Sequence, residues 1–281
     1  MARSSFAPTA ARVDLHVHST CSGDGASSIA EYARRAAALG WGEVGFCEHV
    51  DFDPRDQDHD YLVPSDYTRQ ITHARAQAPE VQLRQGVEIA YQACREDEIR
   101  TWLAAQTWDY VVASVHLVDY TDGWAIISEP DSTGAYFATH SQRQAFLPYF
   151  EELLRAAQSG LGDVLGHFDL VKRFGVAYYG PYEPAAFEEE IRSVLHKMVE
   201  QGIGLEINTS GLRQLPGESY PALTVLRWYH ELGGEILTAG SDAHQAGDLG
   251  AGISEALALA KEAGFRALAT FERRRVHWID L

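Results

Sequence analysis

The chain has 281 residues, 46% of them hydrophobic, which is enough to bury one large core. No stretch approaches the roughly 20 apolar residues of a membrane span, and MARSSFAPTAAR lacks the apolar segment of a secretory signal. A net charge of −17 argues against nucleic acids and anionic membranes as partners, and three scattered cysteines fit a reducing cytoplasm. We therefore expect one cytoplasmic domain over residues 1–281, with residues 1–11 loosely ordered.

Strand-like segments alternate with helical patterns along the sequence. Seven segments have the apolar composition of strands: 12–19, 43–50, 81–91, 110–118, 163–171, 204–210 and 235–244. A helical pattern follows each of them, and the first, SSIAEYARRAAALG, has serine near its start and glycine at its end. This alternation predicts a parallel sheet covered by helices. Seven such units favour a closed barrel over the alternative, a doubly wound open sheet.

Two segments stand apart from this alternation. Residues 118–141 form the longest irregular stretch, and loops of such length are typically lids or binding loops. Residues 269–281, ATFERRRVHWIDL, follow the last helical pattern and are expected to form only a short tail.

Potential metal ligands stand at the carboxyl end of every predicted strand. They are His16, His18, Glu48, His49, Glu88, His116, His167, Glu206, Asn208, Asp242 and His244. The carboxyl ends of the strands form one face of a parallel barrel, and active sites of such barrels lie on that face. Imidazoles and carboxylates suit zinc, iron or manganese, and two neighbouring ions can share a hydroxide. The sequence therefore predicts a polynuclear metal site.

The strand-end residues belong to short motifs that span nearly the whole chain. The motifs are His16-x-His18, Asp24-Gly25, Glu48-His49, Gly86-Val87-Glu88, Ser114-Val115-His116, Gly166-His167 and Ser241-Asp242-Ala243-His244. This set resembles the polymerase and histidinol phosphatase (PHP) family, which implies a distorted, TIM-like (β/α)7 barrel. The long insertion before GHFD and the segment LEINTSGLR resemble the stand-alone members that act on L-histidinol phosphate. The resemblance therefore implies a phosphomonoesterase of histidine biosynthesis.

The resemblance also implies two to three divalent ions, which would be zinc, manganese or iron. The implied ligands are His16, His18, Glu88 and Asp242 for one ion, Glu88, His116 and His167 for a second, and Asp24, His49 and His244 for a third. Asp24 stands where many members of the family have histidine. Glu88, Asp242 and His244 would be catalytic, through a shared hydroxide and through assistance to the leaving oxygen.

A phosphate ester would also need contacts from outside the metal site. Arg173 and Arg213 follow predicted strands, and a guanidinium group matches two phosphate oxygens at once. Lys172 is a weaker candidate, and Asn208 would orient the substrate. The cationic end of the substrate would meet an acidic and aromatic wall in the irregular stretch, formed by Trp124, Tyr120, Asp119 and Tyr136.

Three other functions stay open at this point, although a small phosphate ester is the expected partner. The first is a PHP enzyme that cleaves phosphodiesters or nucleotides. The second is a non-catalytic PHP module that binds metal and supports a partner protein. The third is an amidohydrolase-like enzyme, which would use a modified lysine as the bridging ligand, although no predicted strand ends in a suitable lysine. The sequence does not indicate an oligomeric state.

Overall fold

The computed structural model describes residues 12–281, so the expected loose segment 1–11 lies outside the described residues. In that range the strands are β1 (Val13–Val17), β2 (Glu43–Val50), β3 (Gln82–Ala90), β4 (Tyr110–Ser114), β5 (Leu117–Tyr120), β6 (Gly123–Ile126), β7 (Val164–Leu165), β8 (Gly204–Asn208), β9 (Leu237–Gly240), β10 (Ala267–Glu272) and β11 (Arg275–Asp280). The helices are α1 (Ile29–Leu39), α2 (Pro64–Gln77), α3 (Glu96–Ala104), α4 (Pro130–Phe137), α5 (Gln142–Ser159), α6 (Lys172–Tyr179), α7 (Glu188–Gln201), α8 (Leu223–Glu231) and α9 (Ile253–Ala263).

Seven of these strands form one parallel sheet that curves into a nearly closed barrel. Their order is β1, β2, β3, β4, β7, β8 and β9. The two edge strands approach each other through a bridge between Val17 and Ala243. There the amide of His18 donates to the carbonyl of Ala243 at 2.9 Å, and the amide of Asp242 donates to the carbonyl of His16 at 2.7 Å. The predicted (β/α)7 barrel is therefore confirmed.

The helices cover the barrel from outside, and local sequence sets their ends. Ser28 caps α1 and exchanges hydrogen bonds with Glu31, while Gly40 ends this helix in the left-handed region at φ 70°. Helix α5 begins with the same reciprocal cap, between Ser141 and Gln144. Such caps satisfy amide groups that the first turn of a helix leaves without partners. Among the helices of residues 12–281, none has both the length and the apolar character needed to cross a membrane.

The two segments outside the alternating pattern are folded, so the expectations of an irregular stretch and of a mere tail are wrong. Residues 118–141 hold most of the antiparallel hairpin β5–β6 and all of α4. The expected tail is part of a second antiparallel hairpin, β10–β11. Its turn residues Arg273 and Arg274 have φ angles of 51° and 62°. Hairpin turns with this conformation normally use Asn and Gly, so two arginines carry no turn signal in the sequence.

The prediction of a strand over residues 163–171 is wrong at its carboxyl end. Strand β7 stops at Leu165, and α6 begins at Lys172, within the segment HFDLVKRF. His167 leaves the strand direction with a φ of 22°. The apolar residues of this segment are buried in the core rather than extended in a sheet, which is why their composition alone suggested a strand.

The hairpin β10–β11 closes the amino-terminal end of the barrel. Ala269 and Phe271 of β10 belong to one buried cluster with the barrel residues Cys47, Tyr110, Val112 and Val164. The turn is tied to the rim by Arg274, whose Nε donates to Asp163 Oδ2 at 2.9 Å. Because this end is filled, the large cavity of the barrel lies at the carboxyl ends of the strands.

Tyr110 of β4 crosses the barrel interior and binds the backbones of β1 and β2. Its hydroxyl donates to the carbonyl oxygens of Leu15, at 2.7 Å, and Phe46, at 3.2 Å. Gly45 and Gly86 leave room for the side chain, because a Cβ atom at either position would overlap Tyr110. The tyrosine thus joins β4 to β1 and β2 across the barrel, and all three strands carry metal-ligand candidates at their ends or in the turns that follow them.

Tyr110→Phe is expected to lower the free energy of unfolding by about 1–2 kcal/mol, because buried carbonyl oxygens lose a donor. Urea unfolding at a fixed metal concentration measures the change. Tyr61→Phe is the control, since Tyr61 is 47% exposed. Equal stability of the Tyr110 variant and the wild type would show that the hydroxyl does not hold these strands.

Candidate metal centre

The nine predicted metal ligands lie together at the carboxyl end of the barrel. Seven of them line a cavity of about 510 Å³, namely Asp24, His49, Glu88, His116, His167, Asp242 and His244. The other two, His16 and His18, are fully buried and contact the same cluster. The side chains divide into three groups that share Glu88 or neighbouring imidazoles.

The first group surrounds the end of β1 and consists of His16, His18, Glu88 and Asp242. The Nε2 atoms of the two histidines lie 3.0 Å apart. Glu88 Oε2 lies 3.4 Å from Nε2 of His16 and 3.6 Å from Nε2 of His18. Asp242 Oδ1 lies 3.3 Å from Nε2 of His18. Two nitrogens and two oxygens therefore converge, which is a donor set that zinc accepts.

The second group consists of Glu88, His116 and His167. Glu88 Oε1 lies 2.8 Å from Nε2 of His167 and 3.4 Å from Nε2 of His116. The two imidazole nitrogens are 3.3 Å apart, and the hydroxyl of Ser114 donates to the same carboxylate oxygen at 2.5 Å. Glu88 therefore presents one oxygen to the first group and the other to the second, as a bridging ligand must.

The third group consists of Asp24, His49 and His244. Asp24 Oδ2 lies 3.0 Å from Nε2 of His244 and 3.6 Å from Nε2 of His49. The ring of His18 stacks against both histidines, with centroid distances of 4.1 Å to His49 and 4.4 Å to His244. The side chain of Asp24 is 35% exposed, against 1% for Glu88. The third group therefore faces solvent more than the other two.

Charges within the cluster keep its carboxylates ionised and one of its histidines neutral. Burial opposes ionisation of Glu88 and Asp242, but the surrounding imidazoles outweigh burial and hold the pKa of each carboxyl well below its usual range. Burial and the neighbouring histidines lower the pKa of His18 to about 3. Nearby carboxylates outweigh burial and raise the pKa of four other histidines, namely His16, His49, His116 and His244. Metal binding requires ionised carboxylates and neutral imidazoles, so a divalent ion would displace protons from these histidines.

Glu206, at the end of β8, accepts hydrogen bonds from two of the histidines and so fixes their positions. Its Oε1 accepts a hydrogen bond from Nδ1 of His16 at 2.5 Å, and its Oε2 accepts one from the backbone amide of His167 at 2.9 Å. A carboxylate on Nδ1 selects the tautomer that leaves Nε2 free for a metal. The sequence pattern places Glu206 at a strand end but does not predict this role. Glu206 and Asn208 are two residues apart on a strand, so their side chains point to the same side, and this spacing could have indicated that Glu206 faces the cluster.

Asn208 positions Asp242 rather than lining the cavity. Its Nδ2 donates to Asp242 Oδ2 at 3.3 Å, and its Oδ1 accepts from the hydroxyl of Ser210 at 2.7 Å. Asn208 is fully buried and does not belong to the cavity wall. Asp242 itself has a φ of 54°, a conformation that costs a non-glycine residue about 1–3 kcal/mol and that clusters at functional sites. The predicted contact of Asn208 with substrate is therefore not supported.

Both predicted arginines line the cavity. Arg213 lies in the turn after β8, and its Nη2 donates to the carbonyl of Ser241 at 2.7 Å, which fixes the guanidinium head. Arg173 lies in the first turn of α6. Its neighbour Lys172 is fully buried and pairs with Asp169 at 3.2 Å, so this lysine is not available to a substrate.

The wall predicted around Trp124 does not face the cavity. Trp124 is 45% exposed, and the guanidinium of Arg55 lies over its ring, with 5.2 Å between Arg55 Cζ and the ring centroid. Arg55 pairs in turn with Asp119 at 2.8 Å, and Tyr120 stacks on Tyr136 with centroids 3.7 Å apart. None of the four residues of the predicted wall lines the cavity, so the structure gives no support to that wall. The residues of this part of the chain that do line the cavity are Ser128 and Glu129.

A parallel barrel with nitrogen and oxygen donors grouped at the carboxyl ends of its strands defines a class of α/β-barrel metalloenzymes. Comparison with family models narrows the class. Residues 14–210 match the PHP domain, and the chain belongs to the PHP domain family.

Relatives resemble the chain over nearly its full length. A probable histidinol-phosphatase of Deinococcus radiodurans is 29% identical over 271 residues, which cover 94% of this chain and 97% of the relative. A histidinol-phosphatase of Lactococcus lactis is 27% identical over 275 residues, covering 94% and 96%. The crystal structure of the Lactococcus lactis histidinol phosphate phosphatase, in complex with zinc, L-histidinol and phosphate, has a TM-score of 0.84 and 26% identity, covering 95% of this chain and 98% of that one.

Glu88→Gln is expected to lose two divalent ions per chain. The amide of glutamine is neutral and has a single oxygen, whereas the first and second groups would each need a carboxylate oxygen from this residue. Elemental analysis after metal loading and gel filtration measures the stoichiometry. Glu129→Gln is the matched control, since Glu129 lines the cavity outside the three groups. Full metal content in the Glu88 variant would contradict a bridging role for this carboxylate.

Proposed function

We propose that the protein is a metal-dependent phosphomonoesterase that hydrolyses L-histidinol phosphate to L-histidinol and phosphate, a reaction of histidine biosynthesis. The observation that carries the chemistry is a single cavity that joins the three donor groups to Arg173 and Arg213. The substrate is suggested by the full-length relatives and by the solved neighbour that contains zinc, L-histidinol and phosphate.

The donor groups are proposed to hold two to three divalent ions, which would be zinc, manganese or iron. The first ion would be held by His16, His18, Glu88 and Asp242, the second by Glu88, His116 and His167, and the third by Asp24, His49 and His244. When bound, such ions supply hydroxide near neutral pH and offset the charge of the phosphate oxygens. The third group has the most exposed carboxylate, so its ion should be the most easily lost.

Arg173 and Arg213 are proposed to bind phosphate oxygens that point away from the donor groups. A guanidinium donates through a planar fork, and its hydrogen bonds to charged oxygens are shorter and stronger than neutral ones. Arg213 is anchored through one nitrogen to Ser241. This hydrogen bond restricts the conformations of the Arg213 side chain and leaves the other N–H groups of its guanidinium to donate to the substrate.

Asp242 and His244 are the proposed neighbours of the leaving oxygen. Asn208 fixes one oxygen of Asp242, so the carboxylate keeps its other oxygen toward the histidines. The side chain of His244 is 34% exposed and lines the cavity, which places it within reach of solvent and substrate. Glu88 completes the proposed catalytic set by joining the first two groups.

Zinc- or manganese-loaded protein is expected to release phosphate from L-histidinol phosphate with a much higher kcat/KM than from an aryl phosphate, and to leave an aryl phosphodiester intact. Steady-state phosphate release on the three substrates measures this preference. Preference for the diester would favour the phosphodiesterase alternative. Tight metal binding without hydrolysis of any ester would favour the non-catalytic module.

Arg213→Met is expected to lower kcat/KM for the phosphate ester by about 10- to 100-fold, since a charge-assisted hydrogen bond contributes about 1.5–3 kcal/mol. Inhibition by inorganic phosphate should weaken by a similar factor. Arg227→Met is the control, because Arg227 pairs with Glu262 on the outer surface and its side chain is 48% exposed. Unchanged phosphate inhibition in the Arg213 variant would remove this residue from the phosphate site.

A further inference from the structure

Three carboxylates stand close together on the cavity wall beyond the end of β2. Asp51, Asp56 and Asp58 all line the cavity, and each offers an oxygen within 4.8 Å of the others. None of the three was assigned to a metal ion above, although Asp58 also offers an oxygen within 4.8 Å of ligand atoms of Asp24 and His49, so the three carboxylates adjoin the third donor group. We call these residues the aspartate cluster.

One member of the aspartate cluster is buried without a partner. Asp51 is only 6% exposed, and within residues 12–281 no hydrogen bond or ion pair is found for its carboxylate. Asp58 accepts a hydrogen bond from the amide of Gly23 at 2.6 Å, and Asp56 accepts one from the amide of Asp58 at 2.9 Å. Asp51 also lines the cavity, so a cationic ligand there could offset the cost of removing its carboxylate from water.

The nearest arginine in sequence does not neutralise the cluster. Arg55 lies between its members along the chain, but its guanidinium binds Asp53, at 2.7 Å, and Asp119, at 2.8 Å. The imidazoles of His116 and His49 lie near enough to act on Asp51, and any further cationic partner would come from the cavity itself.

The aspartate cluster and the two arginines lie on different sides of the barrel mouth. The cluster follows β2, whereas Arg173 and Arg213 follow β7 and β8. Within the sheet, β3 and β4 lie between β2 and β7. In the other direction round the barrel, across the junction of the two edge strands, β1 and β9 lie between β2 and β8. The three donor groups line the same cavity between these sides. A ligand that reaches both sides must carry an anionic group where it meets the arginines and a cationic group where it meets the aspartate cluster.

We propose that the aspartate cluster is a subsite for the protonated primary amine of the phosphate ester that the enzyme hydrolyses. The inference rests on the proposed phosphatase function and adds a specificity determinant to it. An ammonium group has three donors and no acceptor, which matches three carboxylates around one position. The phosphate of the same molecule would lie against the donor groups and the arginines, so the amine selects amino-alcohol phosphates over neutral alkyl phosphates.

Calorimetry with a matched pair of compounds tests the subsite without requiring turnover. L-Histidinol and 3-(imidazol-4-yl)propan-1-ol differ only in the amine. Each is titrated into zinc-loaded full-length protein in the presence of inorganic phosphate. The wild type is expected to bind L-histidinol at least about tenfold more tightly, as a charged hydrogen bond predicts. Asp51→Asn and Asp56→Asn should lose most of this preference and bind the compound without the amine as the wild type does.

Asp60→Asn is the matched control, because it removes the same charge from the same segment and its side chain is 90% exposed. It should keep the wild-type preference. Equal affinity of the wild type for the two compounds would overturn the proposal, and so would equal losses for both compounds in the Asp51 and Asp56 variants. Loss of a bound metal ion from these variants would also overturn it, since the cluster would then be a metal site.

The hydrolysis assay keeps this outcome separate from that of the proposed function. A wild type that hydrolyses L-histidinol phosphate and its deaminated analogue with equal kcat/KM would retain the phosphatase function and lose the amine subsite. A wild type that binds L-histidinol through the amine but hydrolyses neither ester would retain the subsite and lose the phosphatase function.

Discussion

Closure of the barrel between β1 and the segment after β9 is the constraint on which the site depends. Asp14, fully buried on β1, accepts hydrogen bonds from the backbone amides of Ser241 and Gly250, both at 2.9 Å. These bonds hold the chain on both sides of Asp242 against β1, the strand that carries His16. In an open sheet the first and last strands would be separated by the full width of the sheet. The first donor group therefore exists because the two edges meet.

The polar end of the barrel is costly to bury, and the opposite end contributes the compensating stability. Glu88 is removed from water and depends on the histidines and Ser114 for its partners, which repay only part of the desolvation cost. At the amino-terminal end, Phe271 packs on Tyr110 with ring centroids 6.1 Å apart and fills the interior with apolar atoms. Strain at Asp242 and His167 adds to the cost at the polar end. The fold thus separates a stabilising end from a functional end.

The positions of the donor side chains were predictable because strand order and strand direction determine them. His116 and His167 follow different strands, yet parallel pairing brings both to one rim, so a correct barrel prediction also assembled the cluster. Contacts set by tertiary packing were not predictable. Trp124 carried the composition expected of a binding surface, but Arg55, distant in sequence, covers it. The side chain of Asn208 points into the barrel, as that of a ligand would. Only its hydrogen bond to Asp242, which tertiary structure brings close, shows that Asn208 positions another residue.

Electrostatics give a reason why the proposed metal ions would share one cavity with arginines in a chain of net charge −17. The donor groups contain three carboxylates, so without cations this region would repel a phosphate ester. Two divalent ions would carry four positive charges and reverse the local sign, and Arg173 and Arg213 extend the positive region along one wall. The aspartate cluster, which follows a different strand of the barrel, adds negative charge elsewhere in the same cavity. A phosphate ester with an amine would therefore be oriented by this field, whereas a simple alkyl phosphate would be attracted without a preferred orientation.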